Sequence, residues 1–183
     1  MVSLIFLILI ITAGILQIQY GIIIPQRENK IITKLGEDDF SLDMYGWKQL
    51  SNKFSDISER DIKSNIMSES APIITFRWFP AAHFDYYLAR KLHKNVFALG
   101  DLNSIRNYGW VNQQRGNFSK GENAYYISSS RDYRPPETTF KDIFTEIETA
   151  DTIRIYRNGE NVMNYFVFRM KGLRRTINFS SFF

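Results

Sequence analysis

The sequence predicts an α/β fold: an N-terminal transmembrane helix, then a small Rossmann-like three-layer domain with a C-terminal antiparallel hairpin. Three observations predict it. Every charged side chain lies from Arg27 onward, so an uncharged apolar run precedes a charged, mixed domain. Short apolar runs then alternate with stretches of helical spacing, the pattern of parallel strands joined by right-handed helical crossovers. Near the end the period drops to two on either side of Asn158-Gly159, the strongest short-range signal of a hairpin turn.

The first element is the apolar run, residues 1–25. At about 1.5 Å per residue, residues 2–20 extend roughly 28 Å, close to the hydrocarbon thickness of a bilayer. A cleaved signal peptide needs a basic start, a shorter apolar core and a small-residue cleavage site. Here no Lys or Arg precedes the run, and Gln17-Ile18-Gln19 is no such site. A juxtamembrane linker, 26–40, follows, then a soluble α/β domain, 41–175, and a loosely held tail, 176–183. Arg27, Lys30 and Lys34 lie just after the span, and the positive-inside rule by itself places the domain in the cytoplasm.

Within the domain, Trp47, Leu50, Phe54 and Ile57 recur at helical spacing, with Ser41 or Asp43 as the expected N-cap. Pro72 introduces a strand, Ile73-Ile74-Thr75-Phe76. Residues 80–92 return to helical spacing through Ala82, Tyr86 and Ala89. Val96-Phe97-Ala98-Leu99, closed by Gly100-Asp101, is a second buried strand. A loop-rich stretch with Tyr108, Trp110, Gly116 and Gly121 leads to a third, Ala124-Tyr125-Tyr126-Ile127-Ser128. After Pro135-Pro136, the spacing of Phe140, Ile143, Phe144 and Ile147 predicts a third helix capped by Thr138 or Thr139. Ile153 and Ile155 then alternate with Arg154 and Tyr156, and residues 162–170 form the return strand.

Composition narrows the chemistry. The chain has 183 residues, of which 44% are hydrophobic and 15% aromatic, enough for a packed core and too much for a disordered polymer. It has no Cys and two His, so thiol chemistry and the common zinc sites lack ligands. His83 and His93 stand near opposite ends of one predicted helix and read as locally hydrogen-bonded or solvent-facing. No Gly-x-Gly-x-x-Gly follows the first strand, and Arg77-Trp78-Phe79-Pro80 fills the space a pyrophosphate needs, so no cofactor is expected. There is no Walker motif and no Gly-x-Ser-x-Gly elbow. A net charge of +4 with scattered basic residues predicts no nucleic-acid partner.

What remains is a set of aromatic and basic residues placed at the carboxyl ends of the strands. Arg77, Trp78, Tyr108, Trp110 and Arg131 offer stacking faces and guanidinium groups suited to a sugar or a phosphate. Asp101 ends the second strand, where α/β proteins place binding groups, although a turn or helix cap explains it as well. These six are the candidate ligand-binding residues. No catalytic and no metal-ligating residue is assigned.

The ordered motifs also carry a resemblance. An apolar helix is followed by Asp43-Met44-Tyr45-Gly46-Trp47, by Phe79-Pro80-Ala81-Ala82-His83-Phe84-Asp85-Tyr86-Tyr87, and by Val96-Phe97-Ala98-Leu99-Gly100. Then come Tyr108-Gly109-Trp110, Gly121-Glu122-Asn123-Ala124-Tyr125-Tyr126-Ile127 and Tyr165-Phe166-Val167-Phe168-Arg169. In this order they resemble the C-terminal end of bacterial family 39 glycosyltransferases, related to protein O-mannosyltransferases and lipid A aminoarabinose transferases. The resemblance implies a domain on the extracytoplasmic side of the inner membrane, joined to a multi-span core that uses a polyprenyl-phosphate sugar. Its partners would be the lipid bilayer, the remaining transmembrane region, and the donor headgroup or a glycan acceptor. The family's catalytic carboxylate lies in a first extracytoplasmic loop to which nothing here corresponds, so this chain alone is expected to lack catalysis. The resemblance also reverses the orientation given by the positive-inside rule, because upstream spans would set the topology. The alternative expectation is a single-span anchored binding or interaction module.

Overall fold

The computed structural model describes residues 2–23 and 31–179. The sequence-based assignments for Pro25, Arg27 and Lys30 lie outside the described residues.

Helix α1, Val2–Tyr20, is apolar on every side and almost wholly exposed, and Ser3–Tyr20 is long and apolar enough to cross a membrane. It ends at Gly21, whose φ of 66° gives the left-handed residue that closes a helix, with the Gly21 N–H returning to the Gln17 carbonyl at 2.8 Å. Two 3₁₀ turns follow, Ile32–Lys34 and Phe40–Met44. The second is capped by the Asp39 carboxylate, which accepts from the Ser41 N–H at 3.0 Å.

The domain is a mixed α/β unit built on one five-stranded sheet with strands in the order β2-β1-β3-β5-β4. β1 (Ile73–Thr75) pairs in parallel with β2 (Val96–Ala98) and β3 (Ala124–Ser129). β4 (Phe144–Arg157) and β5 (Glu160–Leu173) form the hairpin, and β5 joins it antiparallel to β3. Asn158 and Gly159 both have positive φ, 53° and 85°, so the turn is of the primed kind that Asn-Gly favours.

One face of the sheet receives Ile73, Val96, Tyr125, Ile127 and Val167 and is packed by helix α2 (Trp47–Lys63) through Leu50, Phe54 and Ile57. Helix α3 (Trp78–Phe84) runs through a π-helical turn, Asp85–Ala89, into a last α-turn, α4 (Arg90–Leu92), and adds Ala81, Phe84 and Leu88 to that core. The other face, with Ile74, Phe97, Tyr126 and Phe168, is closed by Phe118, Phe140 and Phe179 from connections and the C-terminal segment.

Four expectations are corrected. The N-cap of α2 is Gly46, φ 84°, with no side-chain cap; Ser41 and Asp43 belong to the preceding turn. The helix predicted over 140–147 does not form. A short helix α7, Pro136–Thr139, ends at once, Asp142 takes a φ of 62°, and Phe144 already begins β4. The β-branched Thr145, Ile147 and Thr149 belong to a 14-residue strand whose ladder with β5 outweighs a local helical spacing. The stretch read as loop-rich instead holds helices α5 (Leu102–Ile105) and α6 (Tyr108–Arg115). Of the tail, residues 176–179 are held: Ile177 bridges to Phe118, and Phe179 is buried on Phe97 with ring centroids 5.0 Å apart, while 180–183 lie outside the described residues.

Candidate functional site

A cavity of about 600 Å³ opens at the carboxyl ends of the adjacent parallel strands β1 and β3. Neighbours on opposite sides of β1 follow it in the chain, so the connections leaving β1 and β3 diverge there. Such a crevice is where open α/β sheets bind ligands.

Its floor contains one buried hydroxyl with no hydrogen-bond partner among the described residues, and beside it the hydroxyl of a tyrosine. Thr75, the last residue of β1, is fully buried, and its Oγ1 is unsatisfied. Tyr165 of β5 is 2% exposed, and burial pushes its hydroxyl pKa well above the ordinary tyrosine value. A buried hydroxyl left without a partner costs about 1–3 kcal/mol. At Thr75 that is a cost that a polar occupant of the cavity removes.

Its rim contains three guanidinium groups. Arg77, the residue before α3, pairs with Asp132 at 2.5 Å. Arg131, in the 3₁₀ turn that ends β3, donates to the Gly36 carbonyl at 2.9 Å and pairs with Asp43. Among the described residues Arg106 makes no ion pair; its guanidinium lies 5.2 Å from the Trp78 ring centre. Arg106 has φ 47° and ψ −128°, a backbone conformation rare for any residue with a side chain. That conformation costs on the order of 1–3 kcal/mol and points to a constrained position. Gly100 makes the close approach of β1 and β2 possible here, since a Cβ on it would stand 2.5 Å from the Phe76 carbonyl oxygen.

Three of the six candidate residues, Arg77, Trp78 and Arg131, thus line one cavity. The other three do not. Asp101 is the N-cap of α5, accepting from the Ser104 N–H at 3.1 Å and the Ser104 hydroxyl at 2.8 Å, and these bonds hold its pKa below the ordinary value. It lines a shallower neighbouring depression with Tyr133 and Thr138. Tyr108 is buried and donates to the Asp85 carboxylate, which also receives Arg115 at 2.7 Å. That cluster braces α6 against the π-turn. Trp110 is 61% exposed on α6, outside the cavity. His83 stacks on Trp47 with centroids 4.2 Å apart, and its Nδ1 lies 3.1 Å from the Phe79 carbonyl, a packing role.

Arg106, Thr75, Tyr165, Asp43 and Asp132 were not among the candidate ligand-binding residues drawn from the sequence. Only Thr75 carried a local signal, a polar residue closing an otherwise apolar strand. Among the described residues no group of three or more His, Asp or Glu is placed to hold a metal ion.

No family model, no curated protein and no solved structure matches this chain.

Proposed function

We propose that this chain is the last span and the extracytoplasmic domain of a membrane glycosyltransferase resembling family 39, and that its cavity receives the phosphate-bearing sugar headgroup of a polyprenyl-phosphate donor. The parallel β2-β1-β3 unit is read as half of a Rossmann-like layer, with α1 as the span and the inner membrane as its location. The observation that carries the reading is the cavity at the ends of β1 and β3. The unpartnered Thr75 hydroxyl and the neighbouring Tyr165 hydroxyl suit a polyol, the Trp78 ring offers a face for a sugar, and Arg106, without an ion pair among the described residues, has charge for a phosphate. Asp43 and Asp132, the cavity's carboxylates, are each committed to an arginine, so no acid–base step is assigned to this chain. Transfer chemistry would belong to the remaining transmembrane region.

Calorimetric titration of the chain in nanodiscs with a short-chain polyprenyl-phosphate sugar tests this. Saturable binding that falls roughly tenfold in Arg106→Ala, about 1.4 kcal/mol, is expected. No saturable heat would overturn the site, and sugar transfer by this chain alone would overturn its non-catalytic role.

One observation favours a second reading, that of a single-span binding module. The cavity is complete within this domain, with every lining residue supplied by 42–165. Under that reading a neutral glycan binds as tightly as the phosphate-bearing one.

A further inference from the structure

The end of α1 is fastened to the domain by a buried charge cluster. The Arg157 guanidinium, 4% exposed, pairs with Asp39 at 2.5 Å, donates to the Ser41 hydroxyl at 3.2 Å, and lies 3.4 Å from the Gln17 carbonyl of the last helical turn. Asn158 at the hairpin tip donates to the Tyr20 carbonyl at 2.8 Å. A guanidinium beneath the carboxyl end of a helix also meets the negative end of its dipole.

Phe40 stands between the two residues that make this cluster. While Asp39, Ser41 and Leu42 turn inward, Phe40 and Met44 turn outward, each 67% exposed. Ile32 in the preceding 3₁₀ turn is 63% exposed. Tyr20 at the end of α1 and Tyr156 beside Arg157 are about half exposed, the amphipathic residue type that favours a membrane–water boundary. Nothing among the described residues covers this patch, and leaving side chains such as Phe and Met in water forgoes roughly 1.5–3 kcal/mol each.

We infer that the turn Phe40–Met44, with Ile32, is a second membrane contact, seated in the bilayer interface beside the exit of α1. This rests on the reading of α1 as a span. The occupant is lipid because the patch continues the exposed apolar flank of α1 at its carboxyl end, held there through Asp39, Arg157 and Gln17. The exposed Glu37 and Asp38 next to Phe40 mean that insertion is shallow and driven by apolar contact, so zwitterionic lipid suffices. Leu42 and Asp43 of the same turn line the cavity. Seating the turn therefore brings that cavity wall to the headgroup layer, the level at which a lipid-linked sugar is presented.

The chain has no cysteine, so single labels can be placed at will. Phe40→Cys, Met44→Cys, Trp110→Cys and Ile8→Cys, each in the full chain in phosphatidylcholine nanodiscs, are labelled with bimane and quenched by nitroxide-bearing lipid. Trp110 is a water-facing control on α6, and Ile8 reports the span itself. Labels at Phe40 and Met44 should be quenched at least about threefold more than at Trp110, as expected for side chains seated in the headgroup and acyl boundary. The further replacement of Phe40 and Met44 by Ser should remove quenching from a label at Ile32. Quenching at Ile8 without quenching at Phe40 and Met44 would overturn the seat alone, and a dimeric particle in that case would assign the patch to a second copy. No quenching at Ile8 would remove the span and the seat together.

Discussion

Thr75 ends β1 with a side chain that fits the sheet and a hydroxyl that nothing among the described residues satisfies. Val is nearly its shape, has strand propensity at least as high, and carries no group to bury. Thr75→Val is therefore expected to leave the melting temperature unchanged or raise it, while weakening binding of a phosphate-bearing sugar by about tenfold. A Thr75→Val protein that melts lower and binds normally would show that the hydroxyl serves the fold. Arg157 behaves in the opposite way. Its charge and that of Asp39 are both buried, so removing one partner strands the other at a cost of about 3–5 kcal/mol. Arg157→Leu should lower chemical-denaturation stability by that order, and adding Asp39→Leu should restore most of it. A double variant no more stable than the single would argue that the pair does not act as a unit. Gly21 belongs to the same cluster, because a Cβ there would collide with the Arg157 guanidinium.

Among the elements, the two edges of the sheet are closed by the same device. On β2, the Asn112 side chain of α6 accepts from the Ala98 N–H at 3.2 Å and donates to the Ala98 carbonyl at 2.8 Å. On β4, Gln49 of α2 does the same for Tyr156, at 3.0 and 2.8 Å. Each amide occupies backbone groups that an edge strand otherwise offers to another chain. Away from the cavity, Asp61 near the end of α2 is fully buried and takes Arg169 of β5 through two bonds, 2.7 and 2.8 Å, fastening the helix to the sheet. The local signals for β1, β2, β3 and the Asn158-Gly159 turn were legible because each depends on a few adjacent residues. The fate of 140–147 was not, since Phe140, Ile143, Phe144 and Ile147 have helical spacing and only the length of β5 decides for a strand. Helices α5 and α6 are short and rest on contacts such as Asn112 to Ala98, which join residues 14 apart in the chain.

For the molecule as a whole, the fastening of α1 makes stability depend on pH in a definite direction. Burial opposes ionisation of Asp39, but its bonds from Ser41 and the Arg157 charge outweigh that, and its folded pKa lies below the ordinary carboxylate value. A lowered folded pKa means that the stabilisation is complete above the unfolded value, about 3.9, and is lost as pH falls through the folded one. Thermal melting should accordingly be flat in this contribution near neutrality and fall below about pH 4, and Asp39→Asn should melt lower at pH 7 with a shallower acid slope. An unchanged acid slope in Asp39→Asn would place the acid sensitivity elsewhere.

The sequence by itself determined what short-range chemistry can decide: an uncharged apolar helix, three apolar strands, an Asn-Gly hairpin and a domain with no thiol chemistry. Of the six candidate ligand residues it set at the strand carboxyl ends, Arg77, Trp78 and Arg131 share one cavity, because all three follow strand ends directly. Only the tertiary structure decided that Tyr108 braces α6, that Trp110 faces away, and that Phe179 completes the second core. It alone joined Thr75 and Tyr165 on one cavity floor and set Arg157 beneath Gln17, a contact across 140 residues. The physical reason is the same in each case. A hydroxyl is unsatisfied, or a charge buried, only relative to neighbours that the chain brings in from far along its length.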